Sequence, residues 1–377
     1  MHGLLIVNPH ATTTTSDAAG LITRSLAGLV DLDVEHTRHR GHARELAAAA
    51  RASGADAVLV LGGDGAVNEA VNGLLAAAAA GGRLQPPLLG VIPGGGGNVF
   101  ARALGLPAGT AAAVAAVREV IAAGGYRTIG LGLAGDRYFT FSAGLGMDAE
   151  VVHEVDTLRA GGSRQSTSLF ARAILRRYYG GTDRRTPALR LERDGRPPEG
   201  GLFLTIITNR SPYTYVRGRP LLPVPNPDFS SGLDLLALRR VRLSTIAALL
   251  GRMLWAGGGP ARGRDVLSVL GADSLTIRSL RPIAFQVDGE YLGETEAVSF
   301  RFVPGALRVI APAVGQDGAA PFPRPGRSRG LAGDGGPDGD AGPDGDAGPG
   351  PADAPRAKCD RSDMNFRRRF AVASCAR

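Results

Sequence analysis

The chain has 377 residues, a formal net charge of +8 and 43 basic residues, of which only Lys358 is a lysine. Its length is enough for two domains with cores of their own. A P-loop, a protein-kinase site and Schiff-base chemistry each need a lysine in the folded part. Lys358 lies in the C-terminal segment that is predicted below to be disordered, so all three are excluded. Any phosphate must then be bound by backbone N–H groups, arginine or metal.

The positive charge and the cysteines are unevenly placed along the chain. Residues 159–196 contain 10 arginines against three acidic residues, which indicates an anionic partner, either nucleic acid or a membrane surface. Both cysteines, Cys359 and Cys375, lie near the C-terminus, so a cysteine zinc site is excluded elsewhere and a reducing cytoplasm is favoured. We expect neither a signal peptide nor a membrane span.

Strand-like and helix-like segments alternate from the first residue to about residue 130. Apolar runs at 4–7, 32–37, 58–61 and 88–92 predict strands, and segments at 18–29, 42–52, around Asn68, 99–104 and 110–123 predict helices. Such alternation is typical of a parallel sheet covered on both faces. Residues 1–133 are therefore predicted to form an α/β domain.

Residues 134–312 read instead as strands separated by turns, with helices at 166–179 and 243–255, which predicts an antiparallel β-sandwich. The strand-like runs are 138–143, 188–192, 202–208, 233–238, 274–278, 283–287, 297–302 and 307–310. Residues 130–135 match G-x-G-x-x-G, but a strand follows them, so they predict a hairpin turn. Residues 313–377, rich in Gly, Pro and Asp, are predicted to be a disordered tail.

A glycine turn with one carboxylate follows the predicted third strand directly. It consists of Gly62, Gly63, Asp64 and Gly65. The helix after it would carry a polar stripe formed by Gly65, Asn68, Glu69 and Asn72, which we expect to be free for chemistry. Backbone N–H groups and the positive end of a helix favour phosphate at such a turn, although any α/β protein can contain a single one.

A second glycine turn follows the predicted fourth strand. It consists of Gly94, Gly95, Gly96, Gly97 and Asn98. The carboxyl ends of parallel strands lie on one rim of a sheet, so both turns should meet there with Asn8 and Pro9, which follow the first strand. Together these segments predict a polyphosphate cleft.

Four motifs, taken in order, carry a resemblance. They are GGDGAVNE at 62–69, PGGGGNVFARALGLP at 93–107, AGLGMDAEV at 143–151 and VDGE at 287–290. They resemble the soluble diacylglycerol kinase family, which includes sphingosine and ceramide kinases and bacterial lipid kinases. The resemblance covers residues 1–312. It implies an N-terminal domain similar to NAD kinase, a C-terminal β-sandwich and an ATP site in the cleft between them.

The resemblance also implies roles for individual residues, with ATP and Mg²⁺ as cofactors and a lipid hydroxyl as the acceptor. The nucleotide would contact Asn8, Pro9, Gly62, Gly63, Asp64, Gly65, Asn68, Glu69, Gly94, Gly95, Gly96, Gly97 and Asn98. Asp64 would also hold the metal. Asp288, supported by Glu290, would be the catalytic carboxylate that accepts the hydroxyl proton. From the residues alone, Asp288 and Gly289 also read as an ordinary hairpin turn.

The chain departs from the family pattern at four places. Ala66 stands where the family usually has threonine, and Gly96 and Gly97 stand where it commonly has a hydroxyl residue. Val99 replaces an aspartate, and Ser230-Ser231-Gly232 replaces an expected Asp-Asp-Gly. At these positions the chain lacks hydroxyl or carboxylate groups that some members use in their metal network.

The helix predicted at 166–179 is basic and amphipathic. Arg172, Arg176 and Arg177 lie opposite an apolar face, which suits an anionic bilayer as well as a plain solvated surface. We therefore expect a cytoplasmic protein, peripheral at the inner face of the membrane. His36, His39 and His42 cluster near a helix start, but no further ligand accompanies them, so a metal site is not predicted there.

The favoured function is an ATP- and Mg²⁺-dependent lipid kinase acting on a diacylglycerol-like or long-chain lipid. An NAD kinase shares the first glycine turn and remains an alternative. A catalytically impaired lipid- or nucleotide-binding protein is the other, because of Ala66, Gly96, Gly97 and Val99. No nucleic-acid partner is expected, since few aromatic residues accompany the arginines. A homodimer is left open.

Overall fold

The structure is a computed structural model that describes residues 1–11, 16–76, 85–160, 167–216, 218–224, 229–254, 261 and 263–313. Residues 314–377 of the predicted tail, which include both cysteines, lie outside the described residues. Trp255, at the end of the helix predicted at 243–255, also lies outside them. Within the described residues, no helix combines the length and the apolar character that crossing a membrane requires.

Strands and helices alternate through the first 126 residues, as predicted. They are β1 (His2–Val7), α1 (Ser16–Leu26), β2 (Asp31–His36), α2 (His42–Ala52), β3 (Ala57–Gly62), α3 (Asp64–Leu75), β4 (Leu88–Pro93), α4 (Val99–Ala103) and α5 (Thr110–Ala122). The four strands are parallel in the order β4-β3-β1-β2. Every residue of β3 is buried, which is what a strand covered by helices on both faces requires.

The rest of the described chain is mostly antiparallel. Its first elements are β5 (Arg127–Ala134), β6 (Arg137–Phe139), β7 (Ser142–Gly146), α6 (Met147–Ala160), α7 (Thr167–Gly180), β8 (Leu189–Arg193), β9 (Arg196–Leu202) and β10 (Leu204–Thr208). Its later elements are β11 (Thr214–Val216), β12 (Arg219–Leu221), β13 (Leu233–Leu238), α8 (Leu243–Met253), β14 (Val266–Ala272), β15 (Ser274–Val287) and β16 (Glu290–Ile310).

The long hairpin of β15 and β16 joins the two halves of the sheet. Its two strands pair with each other, and the pairing changes register between Arg278 and Ile283 and between Phe285 and Gln286. On its other edge, one part of β15 pairs with β8 and another part with β7. β16 pairs with β5, and its end runs parallel to β4, with Val309 opposite Leu89. A buried core between the antiparallel strands includes Phe139, Leu145, Leu235, Ile277 and Phe300.

The mixed α/β fold with a parallel sheet is thus confirmed. Antiparallel pairing begins at β5, and the boundary at residue 133 stays a prediction. Three local expectations are corrected. Residues 130–134 belong to β5, so the hairpin turn is Gly135-Asp136. The two runs at 274–278 and 283–287 form the single strand β15, and the two runs at 297–302 and 307–310 both lie in β16. Helix α6 was not predicted at all.

Candidate active site

The two glycine turns lie against each other at the carboxyl ends of β3 and β4. Gly94 N–H donates to the Gly62 carbonyl at 2.9 Å. A Cβ on Gly95 would lie 2.7 Å from Gly63 Cα, closer than real Cβ contacts allow, so the two backbones need glycine to approach. Asn8 N–H donates to the Leu61 carbonyl at 2.9 Å, which brings the end of β1 to the same rim.

A cavity of about 670 Å³, which we call the cleft, lies above this rim. Of the predicted site residues, it is lined by Asn8, Gly63, Asp64, Gly65, Glu69, Gly95, Gly96, Gly97, Asp288 and Glu290. The predicted residues outside the lining are Pro9, Gly62, Asn68, Gly94 and Asn98. The structure therefore brings most of the predicted residues, from both halves of the chain, to one cavity.

The helix starts at the two turns differ in what their N–H groups contact. α3 begins after Gly63, which has no side chain to cap it, so the N–H groups of its first turn have no capping side chain apart from the Asp64 amide, which bonds its own carboxylate. α4 begins after Asn98, and the Asp64 carboxylate accepts from Val99 N–H and Phe100 N–H, both at 3.0 Å. The start of α3 is therefore the better phosphate site of the two.

Asp64 lies at the floor of the cleft between the two turns. Burial raises its pKa to about 6, against hydrogen bonds from the amides of Phe100, Val99 and Asp64 itself that lower it, and the nearby charge of Asp288 adds to the rise. The Val99 and Phe100 amides occupy one lone pair on each Asp64 oxygen, and Asp64 lines the cleft. A carboxylate of this kind, together with phosphate oxygens, fits the ligand set that Mg²⁺ takes in nucleotide sites.

Asp288 has a much fuller set of hydrogen bonds. Its Oδ1 accepts from the N–H groups of Phe141 and Ser142, both at 3.0 Å. Its Oδ2 accepts from Thr140 N–H at 2.7 Å and from Thr140 Oγ1 and Asn68 Nδ2, both at 2.8 Å. Burial raises the pKa of Asp288, opposed by these donors. Five donors occupy a carboxylate that offers about four lone pairs.

The polar stripe of α3 is not free, contrary to the expectation. Asn68 Nδ2 donates to the Tyr138 carbonyl at 3.0 Å, and Asn72 accepts from Tyr138 N–H at 2.9 Å. Both asparagines are buried. Their amides satisfy the backbone of β6, so the stripe docks the antiparallel half of the chain onto α3. Glu69 in turn accepts from Gly41 N–H at 2.8 Å, near the start of α2.

Glu290 links side chains from both halves at the edge of the cleft. It pairs with Arg40, from the loop before α2, and with Arg137 of β6. Arg137 also donates to Asn68 Oδ1 at 2.9 Å. The sequence analysis did not select either arginine, because only the folded chain brings them to Glu290. They add the positive charge that a polyphosphate would need.

A second, apolar cavity of about 1,220 Å³ opens beside the cleft. It lies between α6, α7, α8 and strands β10 and β13, and its apolar lining includes Met147, Phe170, Leu204, Ile246, Leu250 and Met253. Gly96, Gly97 and Tyr213 line both cavities. No sequence signal marked this cavity, because ordinary leucine, isoleucine and methionine side chains form it.

The histidine cluster at the cleft lacks a free ligand nitrogen on His42, so it does not form a metal site. Ligand atoms of His39, His42 and Glu45 lie within 4.8 Å of one another. His42 Nδ1 accepts from Arg38 N–H at 3.1 Å, so the neutral ring carries its proton on Nε2, the remaining ligand atom. Burial lowers the pKa of His42, which keeps the ring in this neutral form.

Comparison with known proteins gives the family. The model of the diacylglycerol kinase catalytic domain matches residues 2–133. A diacylglycerol kinase from Staphylococcus carnosus is 31% identical over 247 residues, which cover 64% of this chain and 72% of that protein. The diacylglycerol kinase from Bacillus subtilis is 29% identical over 250 residues, 63% of this chain and 72% of that protein.

The solved structures agree in fold. A crystal structure of a diacylglycerol kinase from Bacillus anthracis superposes with a TM-score of 0.60 at 23% sequence identity, covering 82% of this chain and 97% of that one. The fold is shared with this structure, and the family model and the relatives are those of a kinase-type phosphotransferase. The chain belongs to the diacylglycerol kinase family.

Proposed function

We propose that this protein is an ATP- and Mg²⁺-dependent kinase that phosphorylates a hydroxyl of diacylglycerol or a related long-chain lipid. The apolar cavity carries this proposal, because it opens into the cleft at Gly96 and Gly97, where a transferred phosphoryl group would lie. The cavity exceeds the roughly 300–1,000 Å³ of ordinary ligand pockets, and each buried CH₂ of an acyl chain contributes about 0.8 kcal/mol.

The cleft supplies the polar half of such a reaction. The uncapped N–H groups at the start of α3 and the backbone of Gly96 and Gly97 would bind phosphate oxygens, with Arg40 and Arg137 nearby. Asp64 would hold Mg²⁺, which would neutralise charge on the phosphates when bound. Such a site needs no lysine, in agreement with the sequence.

Two carboxylates compete for the role of proton acceptor. The resemblance assigns it to Asp288, but a lipid hydroxyl could approach Asp288 only if a donor such as the Thr140 hydroxyl turned away. Asp64 accepts fewer hydrogen bonds, but a carboxylate that holds Mg²⁺ is a weaker base than a free one, so Asp288 keeps the role of proton acceptor. Glu290 would position Arg137 beside the reacting groups.

We extend the proposal to the membrane surface. Leu175 and Tyr179 of α7 are 48% and 69% exposed, and Leu175 also lines the apolar cavity. Arg172 is exposed on the same helix. Arg176 and Arg177 both pair with Glu154, so these two arginines and the one carboxylate together keep a net positive charge. Exposed apolar side chains beside arginine suit the anionic inner leaflet, where the lipid would enter.

The NAD kinase alternative is not favoured, since the family match is to diacylglycerol kinases, and the apolar cavity provides the test that separates the two. Ala247 of α8 is exposed and lines the cavity, whereas its neighbour Ala248 is exposed and does not. We expect Ala247→Phe to raise the KM for a long-chain lipid at least tenfold with an unchanged KM for ATP, and Ala248→Phe to leave both unchanged. Equal lipid kinetics for the two variants, or turnover of NAD alone, would contradict the proposal.

A further inference from the structure

A chain of buried polar contacts starts from Asp148, which no predicted role includes. Asp148 lies in the first turn of α6, two residues after the end of β7, and is 8% exposed. A Cβ on Gly144 would lie 1.9 Å from Asp148 Oδ2. The carboxylate therefore rests directly on the backbone of β7, and only glycine at position 144 leaves room for it.

The contacts of Asp148 fix a glutamine that is fully buried. Asp148 Oδ1 accepts from the Tyr213 hydroxyl at 2.9 Å, and its Oδ2 accepts from Gln286 Nε2 at 2.8 Å. Gln286 Oε1 accepts from Gly289 N–H at 3.0 Å. Because an ionised carboxylate only accepts hydrogen bonds, Asp148 requires the NH₂ group of Gln286 to face it and the oxygen to face Gly289.

These hydrogen bonds connect the apolar cavity to the cleft. Tyr213 lines both cavities, Asp148 lines the apolar cavity, and Gly289 lines the cleft between Asp288 and Glu290. Asp288 and Gly289 form the turn between β15 and β16, with positive φ angles of 49° and 76°. Positive φ at both positions is typical of the tight hairpin turns that Asp-Gly favours, and the Gly289 N–H of this turn is the group that Gln286 binds.

We propose that Asp148 is a positioning residue that holds Tyr213 at the mouth of the apolar cavity and, through Gln286, the turn that carries Asp288 and Glu290. This inference rests on the proposed lipid kinase function. It accounts for a carboxylate that is kept buried although burial raises its pKa to about 6. Tyr213 and Gln286 offset part of that cost by donating to it.

The test separates positioning from direct contact with the substrate. Asp148→Ala leaves Gln286 and Tyr213 without their acceptor. Asp148→Asn can replace both bonds, since its oxygen accepts from Gln286 and its amide donates to the Tyr213 oxygen. We expect Asp148→Ala to lower kcat with a long-chain lipid at least tenfold with the KM for ATP within twofold, and Asp148→Asn to stay within about threefold of wild type.

A second readout needs no lipid turnover. Hydrogen exchange of the Gly289 amide, followed by mass spectrometry, should become at least tenfold faster in Asp148→Ala and in Gln286→Met. It should stay near the wild-type rate in Asp148→Asn. Asp17→Asn, an exposed acid in the first turn of α1, is the charge-matched control and should change neither readout.

Three results would overturn the inference. They are unchanged Gly289 exchange in Gln286→Met, unchanged kcat in Asp148→Ala, and an Asp148→Asn variant as impaired as Asp148→Ala, which would mean that the charge itself is needed. If Asp148→Ala does not fold, Gln286→Met decides the question. A wild-type protein that phosphorylates none of the lipids would contradict the proposed function. The hydrogen exchange of Gly289 would then be the test of whether Asp148 positions the turn through Gln286.

Discussion

Replacement of Asp288 by asparagine tests whether this carboxylate holds the cleft together. The side chain of the Asp288→Asn variant can place its oxygen where Oδ2 lies and keep three donors, but its NH₂ group then faces the N–H groups of Phe141 and Ser142. Each lost hydrogen bond to a charged group costs about 1.5–3 kcal/mol, so two cost about 3–6 kcal/mol. Removal of a buried charge offsets part of this, since burial raises the pKa of Asp288.

We therefore expect Asp288→Asn to lower the free energy of unfolding by at least about 2 kcal/mol. At an unfolding entropy of about 2.1 cal/mol/K per residue, this lowers Tm by roughly 3 °C for a chain of this size. Scanning calorimetry at pH 7 measures it. Asp64→Asn is the matched control, because it can lose only one of two amide bonds and should shift Tm about half as much. An Asp288→Asn variant that melts within about 1 °C of wild type would refute the reasoning.

Three further predictions concern the turns, pH and the membrane. Gly95→Ala should abolish ATP binding, measured by titration calorimetry, because the added Cβ would meet Gly63. Gly109→Ala places its Cβ in open space and should leave ATP binding intact. Equal ATP binding by both variants would contradict the packing argument. Burial raises the pKa of Asp148 from about 4 in the unfolded chain to about 6 in the folded protein, so folding favours the protonated carboxyl. The free energy of unfolding should therefore be about 3 kcal/mol higher below pH 4 than above pH 6. Asp148→Asn should remove that part of the pH dependence of Tm, and an unchanged dependence would exclude Asp148 as its source. Arg172→Gln should weaken binding to anionic vesicles in sedimentation with little change in binding to neutral ones; equal loss on both would exclude a charge effect.

Local chemistry made the positions of the two glycine turns predictable from the sequence. The glycine turns follow buried strands directly, so their positions on the rim follow from the parallel topology. α2 was predicted to the residue, because His42–Ala52 carries a helical pattern with a glycine before it. Contacts across the chain were not predictable in this way. Asn68 and Asn72 looked free because Tyr138, which binds them, lies 70 and 66 residues away.

The apolar cavity and the elements around it had weaker signals in the sequence. Helix α6 follows β7 without a turn or a capping residue, so no start signal for it was visible in the sequence. The partners of Asp148 lie 65 and 138 residues away, which places its role beyond any local pattern. The resemblance pointed to Asp288 as the catalytic carboxylate, but it could not show how many donors surround that group.

Transfer of labelled phosphate from γ-labelled ATP tests the central claim most directly. The purified protein would be given Mg²⁺ and mixed vesicles containing diacylglycerol, a long-chain base or another lipid alcohol, with NAD as a parallel acceptor. The account predicts Mg²⁺-dependent label in at least one lipid and none in NAD, with the signal abolished by Asp64→Ala. Label in NAD alone, or equal activity of the Asp64→Ala variant, would contradict it.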